Sequence, residues 1–137
     1  MNWQYKEEKM KTQAKENLSY AEYKNEAPQK RADLPACPVE TCVQLIGSKW
    51  RLLIMRDLLM NESMRFGQLQ RSVGKVSQKV LTSNLRDMEE AGLIVRRVYP
   101  EVPPHVEYSL TETGKSLKPI IDAMWDWGTT YQAKALD

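Results

Sequence analysis

Val76–Ile94, VSQKVLTSNLRDMEEAGLI, decides how the rest of the chain is read. At helical period Leu81, Leu85 and Met88 fall on one face, and Gly92 follows as a stop signal. Ser77 stands at the N-cap, where its hydroxyl accepts a bond from a first-turn N–H that has no partner within the helix. With 100° between successive residues, Lys79, Thr82, Ser83 and Arg86 point away from the apolar stripe. That outer face opens with short polar and long basic side chains and turns acidic only at Glu89 and Glu90. A helix buried on one side, offering Gln78, Lys79, Thr82, Ser83 and Arg86 from the other, suits the DNA major groove. A plain solvated face gives the same pattern, so the flanking segments have to discriminate.

The segments before and after it do. Arg65–Ser72 (RFGQLQRS) reads as a short helix with Phe66 and Leu69 facing inward, and Val73-Gly74-Lys75-Val76 is a tight connection. Two helices joined by about four residues with a glycine make a helix-turn-helix. Leu93–Tyr99 (LIVRRVY) is β-branched and aromatic, as a strand requires, and Val106–Leu110 (VEYSL) alternates as a second one. The intervening PEVPPH, residues 100–105, has three prolines that lack a donor, so it forms a loop tip. A helix-turn-helix followed by a hairpin is the winged form of the motif.

Upstream, Val39–Ile46 reads as a short helix carrying Val39, Cys42, Val43 and Ile46 on one side. Gly47-Ser48 breaks it, and Lys49–Met60 (KWRLLIMRDLLM) follows with Trp50, Leu53, Ile54, Asp57 and Leu58 on one stripe, Trp50 as a core anchor. Downstream, Thr111 is the expected N-cap of a last helix, with Leu117, Ile120, Ile121, Met124, Trp125, Gly128 and Tyr131 on a broad apolar stripe. Pro119 would kink that helix unless it lies in the first turn. The stripe exceeds what a small domain needs internally, which suggests pairing with a second copy; a purely internal core role is the alternative.

Residues 1–35 read as a polar, helix-prone N-terminal extension, and residues 36–137 as the folded domain. The extension interleaves seven Lys/Arg with six Asp/Glu and has too few branched apolar residues to make a core alone. Trp3, Met10, Ala14, Leu18 and Ala21 recur there at roughly helical spacing. Overall net charge is only +2, too small to argue for a polyanion partner. Its distribution is more telling: residues 65–99 hold seven Lys/Arg against three Asp/Glu, whereas residues 100–137 hold three against six.

Composition also excludes classes of function. No apolar run is long enough to span a membrane, and the N-terminus lacks the apolar core of a secretory signal, so a cytoplasmic location is expected. Two cysteines, Cys37 and Cys42, rule out a disulfide scaffold, and the single His105 leaves a His/Cys metal site short of ligands. With one histidine, no Ser/His/Asp set in a workable order and no glycine-rich phosphate loop, no catalytic residues, metal or cofactor are expected. Asp57, Asp87 and Glu89 sit on helix-surface positions with no partner visible in the sequence.

Taken together, CPVETCVQLIGSKWRLLIMRDLL, RFGQLQRSV and SQKVLTSNLRDMEEAGLIVRRVYPEVPPHVEYSLTETGKSL resemble the HxlR family of bacterial and archaeal transcription regulators, from Cys37 to about Gly128. The resemblance implies a mainly α-helical winged helix-turn-helix protein with a small β-hairpin wing. It further implies a homodimer formed through the first and last helices, bound to palindromic double-stranded operator DNA. Val39, Val43, Ile120, Ile121, Met124, Trp125, Gly128 and Tyr131 are then the candidate dimer seam. Gln78 and Lys79 are candidates for base edges, Thr82 and Arg86 for phosphates and register, Ser77 for both cap and phosphate, and Ser83 for a DNA contact on the same face. Arg96, Arg97 and His105 are candidates on the wing, although strand alternation puts the two arginines on opposite faces. The family also implies sensing of oxidants or electrophiles through a cysteine at the position of Cys37, where a helix N-terminus favours thiolate; an inert, half-buried thiol is the alternative. Two features depart from the family: the longer N-terminal arm, and His105 where a permanently charged wing residue is common. A winged-helix module that binds a protein instead of DNA is the rival class, and it predicts salt-insensitive or absent DNA binding.

Overall fold

The computed structural model describes residues 34–136, so residues 1–33 of the expected N-terminal extension, with its Trp3–Ala21 stripe, lie outside the described residues. The chain divides into two units, residues 1–45 and 46–137.

In the first unit, Pro38 opens helix α1 (Pro38–Ile46), a position where its missing N–H costs nothing. The Cys37 carbonyl accepts from the Thr41 N–H at 3.1 Å and from the Thr41 hydroxyl at 3.4 Å. Val39 and Val43 are both exposed, so the apolar side expected on this helix is bare along its first two turns.

The second unit is built around three helices. Helix α2 (Lys49–Met60) starts at Ser48, whose hydroxyl accepts from Arg51 N–H at 3.3 Å. It buries Ile54, Met55, Asp57 and Leu58. Trp50 is only half-buried, and the Lys49 ammonium lies 4.7 Å from the centre of its ring. The core anchoring expected of Trp50 thus falls to Ile54 and Met55 one turn further on, because the first turn of α2 reaches the edge of the core.

Met64–Arg65 form a short strand β1, and helix α3 (Phe66–Val73) begins one residue later than the sequence suggests. Arg65 is taken by the sheet, where Met64 faces Tyr108 and Arg65 faces Glu107. Its N–H donates to the Gln68 side-chain oxygen at 2.8 Å, which satisfies a donor at the helix start. Leu69 and Val73 are buried, while Phe66 is half-buried.

The turn into helix α4 (Gln78–Glu90) passes through Gly74 at φ 110°, a conformation that side chains resist, and is pinned by Gln70 Nε2 donating to the Val76 carbonyl at 3.1 Å. Ser77 caps α4 as expected, accepting from Val80 N–H at 3.1 Å. Leu81, Leu85 and Met88 are sealed, with no more than 1% exposure each. Gly92, at φ 77°, reverses the chain while Leu93 N–H returns to the Met88 carbonyl at 3.0 Å.

Strands β2 (Ile94–Tyr99) and β3 (His105–Leu110) form the hairpin in register from Ile94↔Leu110 to Tyr99↔His105. With β1 they make an antiparallel sheet of order β1-β3-β2. This is the winged helix-turn-helix read from the sequence, with a third strand supplied by two residues too short a run to announce themselves.

The last helix of the sequence reading is two helices. Thr111 caps α5 (Glu112–Lys115), and α6 (Lys118–Ala135) starts afresh with Pro119 in its first turn. A continuous helix would need a bond from residue 119 to the Lys115 carbonyl, and proline has no N–H to donate. The Thr111 hydroxyl donates to the Gly92 carbonyl at 2.6 Å and accepts from Gly114 N–H at 3.0 Å, which ties α5 to the end of α4. Gly114 lies so close to the sheet that an added Cβ would stand 2.2 Å from the Leu93 carbonyl oxygen. Gly114→Ala is therefore expected to destabilise the protein by about 2–3 kcal/mol, measured as a lower urea midpoint with an unchanged m-value.

Candidate nucleic-acid interface

The outer face of α4 is as bare as its inner face is sealed. Ser77, Gln78, Lys79, Ser83 and Arg86 are exposed and Thr82 is half-buried. Gln78, Thr82 and Arg86 follow one another at intervals of four residues and line an open groove of about 460 Å³ between the helix and the sheet. Arg96 from β2 enters the same groove, together with Phe66, Val106 and Tyr108 from its floor and Glu89 from its far end. The structure therefore brings Gln78, Thr82, Arg86 and Arg96 together. Lys79 and Ser83 lie on the neighbouring stripe of the helix, away from this groove.

Strand alternation separates the two wing arginines as anticipated. Arg97 faces the opposite side of the hairpin, in a cavity with Glu107, Lys115 and Lys118. His105 is occupied inside the wing. Its ring stacks on Tyr99 with centroids 4.7 Å apart, Nδ1 lies 3.2 Å from a Glu101 carboxylate oxygen, and Nε2 lies 3.5 Å from Glu107. A side chain 15% exposed and flanked by two carboxylates presents little to a phosphate.

Residues that the sequence left unassigned hold α4 in place. Arg51 of α2 donates from Nε to Asn84 Oδ1 at 3.0 Å and from Nη2 to Asp87 Oδ2 at 2.7 Å. Asn84 Nδ2 in turn donates to the Val80 carbonyl at 2.8 Å. Asp87, without a visible partner in the sequence, is thus a clamp on α4. No sequence signal links residues 33 and 36 positions apart; only the packing of α2 across α4 brings them together. Asp57 likewise has a partner, Arg56 Nε at 2.8 Å, and it is buried instead of lying on the helix surface.

The candidate dimer residues divide the same way. On α6 no residue is buried, and Ile120, Met124, Trp125 and Tyr131 are exposed, with Ile121 and Gly128 half-buried. Trp127, 68% exposed and stacked on Tyr131 at 5.1 Å, extends this face, and the Ile120, Met124, Trp127, Tyr131 spacing is its signal in the sequence. Cys37 is 2% exposed and Cys42 is half-buried. Among the described residues, no group of three or more His, Cys, Asp or Glu could hold a metal ion, and no helix is long and apolar enough to cross a membrane.

Comparison with known proteins gives this geometry a family. The model of the HxlR-like helix-turn-helix family matches residues 45–135. An uncharacterised HTH-type transcriptional regulator from Methanothermobacter thermautotrophicus is 50% identical over 95 residues, covering 69% of this chain and 72% of the relative. Among solved structures, the redox regulator HypR in its oxidised form superposes with a TM-score of 0.65 at 40% identity, covering 69% of this chain and 96% of that one. The reduced form of the transcriptional regulator YodB from B. subtilis superposes with a TM-score of 0.59 at 34% identity, over 66% of this chain and 89% of its own. With two thirds of its length matched by the family model, and a helix-turn-helix and wing in the expected order, the chain belongs to the HxlR-like helix-turn-helix family of transcriptional regulators.

Proposed function

We propose that the protein regulates transcription by binding palindromic double-stranded DNA as a homodimer, with one α4 helix of each protomer in successive major grooves about 34–36 Å apart. The observation that carries this reading is the convergence of Gln78, Thr82, Arg86 and Arg96 on one open groove beside a helix whose inner face is sealed. Gln78 and Lys79, at the helix start, read base edges; Gln pairs with adenine and Lys with guanine through the major-groove edge. Thr82, Ser83 and Arg86 hold phosphates and set register, with Ser77 at the cap, and Arg96 reaches the flanking backbone. Arg97 and His105 contribute less, the one facing away from the groove and the other engaged by Glu101 and Glu107.

The second protomer packs on the apolar faces of α6 and α1. Ile120, Ile121, Met124, Trp125, Trp127, Gly128 and Tyr131 supply a patch of a kind that monomers seldom leave in water, and Val39 and Val43 supply another. Control of DNA binding runs through Cys37, in line with the redox regulator HypR among the similar structures. Because Cys37 is buried, an oxidant reaches it only through a local opening of the structure around it. Two Cys37 thiols, one from each protomer, then lose two protons and two electrons to the oxidant and join as an intersubunit disulfide.

Three measurements test this function. Lys79→Ala and Arg86→Ala each weaken binding to DNA from the upstream region of the gene by about tenfold or more in gel-shift assays. Arg86→Ala lowers the salt slope by about one and leaves sequence preference unchanged, whereas Lys79→Ala relaxes it; unchanged affinity in both variants rejects the helix assignment. Trp125→Glu, which places a charge in the seam, shifts the sedimentation coefficient from dimer to monomer. After diamide treatment, mass spectrometry finds a crosslink or adduct at Cys37 and gel shifts find altered DNA affinity; an unmodified Cys37 with unaltered affinity eliminates thiol sensing.

A further inference from the structure

On the back of the wing, away from the α4 groove, lies a cavity of about 600 Å³. It is bounded by the C-terminal end of α2, the turn at 61–63, one face of β2 and β3, and the α5–α6 junction. Its walls combine three cations, Arg97, Lys115 and Lys118, with two carboxylates, Glu62 and Glu107. We propose that this cavity binds a small organic monoanion, a carboxylate carried on a compact apolar body.

The charges decide the class. Lys115 and Lys118 already carry Glu112 and Asp122, so among the lining cations Arg97 alone offers a positive charge without an ion pair to a described residue; a single monoanion matches it, while a polyanion would meet Glu62 and Glu107. Glu107 is already engaged, lying 3.5 Å from the Ser63 hydroxyl and 3.5 Å from His105 Nε2. Arg97 stands directly across the sheet from Glu107 in register, yet it forms no ion pair with a described residue, so a guanidinium with its planar fork of donors faces the cavity uncommitted. Among the described residues Lys115 and Lys118 are held by exposed pairs within their own helices, to Glu112 and Asp122, which solvent screens and a ligand can displace. Leu58, Leu59 and Leu110 supply an apolar wall beside this cationic end, the combination typical of small-molecule sites.

Position gives the site a consequence. Arg97 and Arg96 are neighbours on one strand, facing the cavity and the α4 groove respectively. Lys115 and Lys118 flank the break between α5 and α6. An anion bridging Arg97 to these lysines ties the wing to the start of the C-terminal helix. The effect on operator binding rests on the proposed function, whereas the binding itself does not.

The test is a ¹⁵N-edited NMR titration of the intact protein with benzoate, and with benzamide as its uncharged counterpart, in the absence of DNA. Benzoate is expected to produce saturable shifts at Asn61, Ser63, Ser109 and Lys115, with benzamide about tenfold weaker or more. Arg97→Gln weakens benzoate binding by about tenfold, and Lys118→Gln, on a separate element, weakens it too should the first variant disturb the sheet. Lys134→Gln, remote from the cavity, leaves it unchanged. The proposal is overturned if benzoate shifts do not saturate, if benzamide matches benzoate, or if both charge-removing variants with native spectra bind benzoate as the wild type does. Loss of DNA binding in a parallel gel shift leaves these outcomes untouched.

Discussion

Leu81, Leu85 and Met88 are sealed from solvent, as are Ile54 and Met55 of α2 and Leu69 of α3, the centre of a core that includes α2, α3 and α4. Removing any one of the leucines would cost about 2–5 kcal/mol, a large part of the stability of a domain this size. Their one-sided burial sets the orientation of α4, and with it the direction in which Gln78, Lys79, Thr82 and Arg86 face. A helix that could roll by even a quarter turn would bury those polar groups without partners, so the core and the exposed face constrain each other. Arg51 adds direction to this grip. Its bonds to Asn84 and Asp87 reach the flank of α4 and oppose rotation about the helix axis.

The wing depends on the same core through a chain of backbone contacts. Leu93, 1% exposed, closes α4; its carbonyl accepts from Thr111 N–H at 3.0 Å and lies against Gly114. Thr111 reaches the Gly92 carbonyl as well. The end of α4, the end of β3 and the whole of α5 thus meet within a few residues, and glycine at 114 permits the approach. Arg96 and Arg97 leave this knot on the same strand and face opposite sides, so the hairpin carries two different surfaces: one toward the α4 groove, the other toward the cavity behind the wing.

Much of this was legible in the residues. The Leu81, Leu85, Met88 spacing, Ser77 at the cap, Gly74 and Gly92 at the turns, and the prolines between two β-branched runs each report a local constraint, and local constraints are written in adjacent positions. The boundary errors have local causes too. Arg65 looks helical because its helix begins one residue on, and the apolar stripe after Thr111 runs on across a break between two helices, where Pro119 sits in the first turn of the second. What was not legible depended on contacts between distant segments. Met64–Arg65 is a strand only because Tyr108 and Glu107 lie beside it, and two residues carry no period of their own. Trp50 looked like an anchor from its stripe, but how deep a stripe sits depends on what packs against it.

The sequence by itself therefore determined the order of elements, the buried stripe of the recognition helix and the polar set on its outer face, since periodicity and capping are properties of neighbouring residues. The tertiary structure alone decided which of those polar groups share a groove, that Arg96 joins them while Arg97 turns away, that His105 is held by Glu101 and Glu107, and that Arg51 clamps the helix. These follow from strand register and helix packing, which bring together side chains tens of positions apart, and the spacing within any one segment does not encode them.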